Sequence, residues 1–271
     1  MIGAAMPLRP QVLLTRPQAL SERLLPALQA AGLQGLILPA IEILPPPQPA
    51  LLLQTLERYR QVDGPQALAI FVSPSAVLQV AAVLAGRDWP KGLTLAAVGQ
   101  GTAALLRECT GQAVLAPADS GDGAALLALP AMQSLAQRTV LLCRGQRGRE
   151  SLVQGLRAAG AQLEVLCCYA RVCPQPDALA LQRLQHSLSA EAGAARLVAW
   201  VLGSAEAAHN LQQLLPDQGR CLAPLPVFVP HARVAAVARE CGWLQPLVYP
   251  GGDAALLQAL QAWRASAPGG A

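Results

Sequence analysis

VLLCRGQRGRESLVQGLRAAGAQLEVLCCYARVCP, residues Val140 to Pro174, reads as strand, glycine-rich turn, helix and second strand. An apolar run feeds the turn, Leu152, Val153 and Leu156 fall at helical spacing, and Gly160 stands where a left-handed helix end is wanted. That pattern is a βαβ unit with a parallel sheet behind it. The chain has already used it once: Val12 to Pro46, VLLTRPQALSERLLPALQAAGLQGLILPAIEILPP, matches at a constant offset of 128 residues. The two copies share VLL, Arg16 with Arg144, Leu24 with Leu152, Ala30-Ala31-Gly32 with Ala158-Ala159-Gly160, and Pro46 with Pro174. The later copy differs where it carries Tyr169, one of three tyrosines in the chain, on its return strand. This makes Tyr169 the first functional candidate.

Working outward, the first copy predicts a strand at 12–15, a helix at 19–31, a strand at 35–38 and an extended run at 41–44 that enters PPPQP, a stiff polyproline spacer. A helix at 50–60 follows, then a buried strand at 67–72 and an Ala-rich helix at 76–85, divided by Ser73-Pro74-Ser75. That division excludes a membrane span in the uncharged stretch around it. Strand 93–98 ends in Gly99-Gln100-Gly101-Thr102 at the start of a helix, a turn whose free N–H groups suit an anion. Further on, Gly203-Ser204-Ala205 repeats the SPSAV turn, His231 stands where the VGQGT turn stood, and Arg239-Glu240-Cys241 repeats Arg107-Glu108-Cys109. The whole chain is two copies of one α/β unit.

At 271 residues there is length for two cores. Nineteen arginines against the single Lys91 give a net charge of +4, too mild and too scattered for a nucleic-acid face but compatible with a small anionic ligand. The seven cysteines include no CxxC pair, and Cys167, Cys168 and Cys173 match no zinc spacing, so they read as buried thiols in a reducing cytosol, with no metal expected. MIGAAMPLRP has prolines and no long apolar core, so residues 1–10 read as a loose leader and not as an export signal.

Copies need not equal domains. If the extended runs Pro39–Pro45 and Cys167–Cys173 each carry the chain across, residues 1–42 plus 172–271 make one discontinuous lobe and 43–171 an inserted one. The expected architecture is α/β, with two similar flavodoxin-like parallel-sheet lobes of about five strands joined by two extended crossover strands. A ligand would then sit in the cleft between them, at the carboxyl ends of the strands.

LLTRP at 13–17, PAIEILP at 39–45, RGQRGRESL at 144–152, CYARV at 168–172 and DAALLQAL at 253–260 together resemble the uroporphyrinogen-III synthase family, over about residues 12–262. The order and spacing of these segments, more than any one of them, carry the resemblance. It implies a monomeric, cytoplasmic, cofactor-free lyase that takes linear hydroxymethylbilane, expels its hydroxyl, and closes the ring with the last pyrrole inverted by way of a spirocyclic intermediate. Spontaneous closure without inversion competes, so the task is largely conformational. The chain also contains no GxSxG or HExxH, and no sign of a covalent nucleophile.

By the same resemblance Tyr169 helps protonate the departing hydroxyl, since a phenol has a proton to give at neutral pH where a carboxylate has none. Ser73, Thr102 and Ser204 match small hydroxyl positions of the family, which also suit plain helix N-capping. Thr15, Arg16, Arg144 and Gly145 lie at the tips of the two copied first strands and are expected to contact substrate. Arg147 and Arg149 extend that basic turn toward a ligand with eight carboxylates. His186, His209, His231, Asp119 and Asp122 stay outside this set. The competing class is a non-catalytic two-lobed binding or sensor protein, disfavoured by the lack of a DNA-reading segment before residue 12 and of an export signal.

Overall fold

The computed structural model describes residues 9–60, 67–118, 122–148, 150–175, 177–190 and 196–266. Arg149 and Asp119 lie outside the described residues, as does most of the leader. The first part of the chain forms β1 (Gln11–Leu14), α1 (Gln18–Glu22), α2 (Leu25–Ala30), β2 (Gln34–Ile37), β3 (Glu42–Leu44) and α3 (Pro49–Glu57). There follow β4 (Ala67–Phe71), α4 (Pro74–Leu84), β5 (Leu93–Ala97), α5 (Gln100–Thr110), β6 (Val114–Leu115) and α6 (Gly123–Leu127). The second copy supplies β7 (Thr139–Gly145), α7 (Glu150–Ala158), β8 (Gln162–Val172), α8 (Ala178–Ser189), β9 (Leu197–Val201) and α9 (Ala205–Leu214). The chain closes with α10 (Gln218–Leu222), β10 (Pro226–Val229), α11 (Ala232–Glu240), β11 (Gln245–Val248) and α12 (Asp253–Ser266).

The helix expected over 19–31 is two helices. Pro26 falls at the start of α2 and has no N–H to continue the ladder from α1, so the chain turns at Arg23–Leu24 and restarts. Both copies of the helix end as their sequence asks, with Gly32 at φ +73° and Gly160 at φ +85°.

Contacts divide the chain into two units, one of residues up to Glu42 with Cys173 onward, the other Ile43–Val172. In the first, five strands run in the order β2-β1-β9-β10-β11, each paired in parallel with its neighbour. In the second, β8-β7-β4-β5-β6 repeat that order, also in parallel, and β3 is added at the β8 edge. Each sheet therefore takes β1–β2 or β7–β8 from one copy and its remaining strands, three in the first unit and four with β3 in the second, from the opposite copy. The strand order is the doubly wound, flavodoxin-like one, whose switch point lies between β1 and β9 in the first unit and between β7 and β4 in the second.

Central strands such as β4, ALAIF, are buried along their full length, because helices cover both faces of a parallel sheet and leave no solvent side to alternate with. One core packs Val12, Leu14, Leu24, Leu28, Phe228 and Leu260. The other packs Leu68, Ile70, Leu126, Val140, Leu142 and Leu156. Among the described residues no helix is long and apolar enough to cross a membrane.

Candidate active site

At the switch point of the second unit, Ser73 follows β4 and precedes Pro74. The proline disfavours helical geometry at Ser73 and needs no donor partner in the first helical turn, so Ser73 becomes the N-cap of α4. Its Oγ accepts the Ala76 N–H at 3.2 Å. On the other side of the switch point, β7 ends at Gly145, and the β7–β8 register slips by one residue between Arg144 and Gly145. The slip sets Tyr169 opposite Gly145 instead of Cys168.

That pairing lets the phenol cross the sheet. From β8 to β4 is two strand spacings, roughly 10 Å, with β7 between them. The tyrosine ring passes over the one residue of β7 that has no side chain to block it: a Cβ on Gly145 would stand 2.8 Å from Tyr169 Cε2 and 2.9 Å from Cζ. The fully buried ring then brings its hydroxyl to 2.9 Å from Ser73 Oγ. Arg171, two residues on and hence on the same face of β8, donates from Nη2 to the same phenol oxygen at 2.9 Å, its guanidinium carbon 5.5 Å from the ring centroid. The sequence had pointed to Tyr169, Ser73 and Gly145 separately; the structure brings them into one cluster. Arg171 was missed, although its i+2 spacing on a strand was a readable signal.

Arg144 is buried and turned onto its own loop. It donates to the carbonyls of Gly145 and Gly148 at 3.4 and 3.3 Å and to the Glu150 carboxylate at 3.2 Å, which closes the glycine turn against the start of α7. Arg147 is exposed. Below the turn, Cys143 and Cys168 are both buried; a hydrogen bond from the Cys143 thiol to the Cys168 sulfur, together with burial, pushes the Cys143 thiol well up, as suits a packing residue. At the end of β5, Gly99 caps α5 without a side-chain bond, and Thr102 lies buried in the first turn.

The first unit repeats the design with different partners. Ser204 caps α9 by accepting the Ala207 N–H at 3.2 Å, as Ser73 does in α4. Thr15 is fully buried and donates its hydroxyl to the Val201 carbonyl at 2.7 Å, tying β1 to β9. Arg16, next to it, reaches Asp253 in the first turn of α12, Nη1 to Oδ1 2.7 Å. Tyr249 stands near both. Burial pushes its phenol up to about 12, with Arg16 pulling the other way and Asp253 adding to the rise. The sequence registered Asp253 only as the first residue of the DAALLQAL segment, and Tyr249 not at all.

The family model described as uroporphyrinogen-III synthase HemD matches residues 22–250, the greater part of the chain. The chain belongs to the uroporphyrinogen-III synthase family. The uroporphyrinogen-III synthases of Escherichia coli and Salmonella typhimurium are 31% and 32% identical to it over 255 residues, each covering 92% of this chain and 99% of the relative. Among solved structures, a variant of uroporphyrinogen III synthase from Thermus thermophilus superposes with a TM-score of 0.54 at 18% identity, covering 94% of this chain and 98% of that one. Uroporphyrinogen-III synthetase from Helicobacter pylori also gives 0.54, at 16% identity and with 93% and 99% covered. At such identities the structural likeness speaks for the two-unit α/β fold of the family.

Proposed function

We propose that this chain converts linear hydroxymethylbilane to the cyclic tetrapyrrole with the last ring inverted, releasing water, as a uroporphyrinogen-III synthase and lyase of tetrapyrrole (haem, sirohaem, cobalamin) biosynthesis. The observation that carries the reading within the family is the Tyr169–Ser73 hydroxyl pair at a sheet switch point, where α/β folds of this order take their ligands. Reactant and product differ by one water, so the reaction moves protons and carbon bonds but transfers no electrons, and the reading includes no cofactor. Tyr169 is the proton source for the departing hydroxyl. Around it we assign substrate contacts to Ser73, Thr102, Arg144 and Gly145 in the second unit and Thr15, Arg16 and Ser204 in the first.

Three features support these assignments. The N-terminus of α5 carries no side-chain cap, so its N–H groups are available to a carboxylate. Arg16 has only one nitrogen engaged by a hydrogen bond among the described residues, and its other donors can fork onto an anion. Thr15 and Arg144 spend their side chains inside the protein, so their contribution is to fix the strand tips and the backbone groups beside them. The reading further takes the protein as a cytoplasmic monomer that binds neither nucleic acid nor membrane, with residues 1–42 plus 172–271 and residues 43–171 as separate folding domains. Supplying hydroxymethylbilane and separating the oxidised products by isomer tests the function. Excess inverted isomer over an enzyme-free control is the expected result, and an unchanged isomer ratio would end the reading.

A further inference from the structure

In this structure the phenol of Tyr169 has no direct path to a ligand. The residue is fully buried, its ring lies on Gly145, and its oxygen is enclosed by Arg171 and Ser73, each at 2.9 Å. A guanidinium only donates, so Arg171 occupies a lone pair of the phenol oxygen. Among the described residues Ser73 Oγ is then the only acceptor for the phenol hydrogen, and a buried hydroxyl hydrogen is not left without one. Ser73 Oγ also accepts the Ala76 N–H, which fills its second lone pair. Its own hydrogen is therefore free to point outward, and Ser73, unlike Tyr169, is partly exposed. The hydrogen bonds run one way: Arg171 to Tyr169, Tyr169 to Ser73, Ser73 to whatever lies beyond β4.

We propose that Ser73 is the group that hands the proton to the leaving hydroxyl, with Tyr169 replenishing it and Arg171 holding the charge left behind; the proposal rests on the reaction proposed above. As the carbon–oxygen bond of the hydroxymethyl group breaks, both electrons stay with oxygen. That oxygen takes the Ser73 proton and departs as water, Ser73 takes the Tyr169 proton, and the negative charge settles on the phenol oxygen beside the guanidinium. The carbon cation is stabilised by its pyrrole nitrogen and is consumed in forming the new carbon–carbon bond. The proton lost as the closed ring regains aromaticity returns to the phenolate, so the residues end as they began. Ser73 is on this account a catalytic residue and Arg171 a positioning residue that acts through Tyr169.

The test uses the full-length protein and follows kcat and KM for the inverted isomer. Ser73→Gly, which keeps a serviceable helix N-cap, is expected to lower kcat about 10²-fold with KM little changed, as Tyr169→Phe does, while Ser73→Thr retains most of the rate. The double variant Ser73→Gly/Tyr169→Phe is expected to be no slower than Tyr169→Phe alone, because both remove one route. Arg171→Gln is expected to lower kcat about tenfold when Tyr169 is present and to have no effect in the Tyr169→Phe protein. Wild-type turnover in Ser73→Gly beside a slow Tyr169→Phe would overturn the relay and make the phenol the direct donor. Losses that multiply in either double variant would overturn it too. Wild-type turnover in Tyr169→Phe would instead remove the proton source, and with it the reading of Tyr169 on which the relay stands.

Discussion

Arg16 and Asp253 stand 237 residues apart in the chain and 2.7 Å apart in the fold. The contact ties the tip of β1 to the first turn of α12, where the helix dipole also favours a carboxylate. The arginine side chain is 12% exposed and the aspartate 40%, so solvent screens the pair in part. Asp253→Asn is expected to cost about 0.5–1 kcal/mol by urea unfolding, with less loss at high salt. An unchanged midpoint at both salt concentrations would show the pair contributes nothing to stability.

Beside that pair, Tyr249 gives the first unit an alkaline limit. Its phenol, raised by burial to about 12, keeps its proton in the folded state where the unfolded chain, with an ordinary phenol near 10, has lost it. The folded state thus binds the extra proton between these values. The stabilisation is complete below about pH 10 and is lost as pH rises toward 12, on the order of 2 kcal/mol across the window. Tyr249→Phe should flatten that fall, and parallel stability–pH curves for wild type and variant would contradict the assignment.

Two glycines should respond oppositely to alanine. Gly145→Ala drives a Cβ into the Tyr169 ring at 2.8 Å, which is expected to cost about 1–3 kcal/mol and to pull the phenol from Ser73, lowering turnover. Gly219, in α10, has nothing within 4 Å of the added carbon. There alanine is expected to stabilise by about 0.5–1 kcal/mol through helix propensity, with activity intact. Thermal unfolding and initial rates of the two variants decide this.

The second unit has its own sheet and core, so a fragment of residues 43–171 is expected to fold alone. The readout is a single cooperative urea transition with a far-ultraviolet α/β spectrum. Fragments that stay molten at every boundary within a few residues would refute the proposed domain division.

Tyr169→Phe keeps the ring on Gly145 and removes the hydroxyl, so stability should change little while turnover falls by roughly 10²-fold. The residual enzymatic product should still be the inverted isomer, because the fold that imposes the conformation is intact. Spontaneous, non-inverted closure takes a larger share as the rate drops. Isomer analysis against an enzyme-free control separates the two, and a wild-type rate would leave Tyr169 a packing residue.

The sequence by itself determined the repeated βαβ unit, its parallel pairing and its helix ends, because apolar spacing, Ser-Pro starts and terminal glycines act within a few residues of the chain. It misjudged the 19–31 helix only where Pro26 broke the local ladder. It also named Tyr169, Ser73 and Gly145, but as three separate positions. What only the tertiary structure decided is how they meet. The one-residue slip between β7 and β8 sets Tyr169 over Gly145, and the strand order places β4 and its Ser73 just beyond. Likewise Arg16 found Asp253 only because β1 and α12 pack in one unit. Register and strand order are settled by the burial of whole faces across distant segments, and no local stretch of sequence contains that balance.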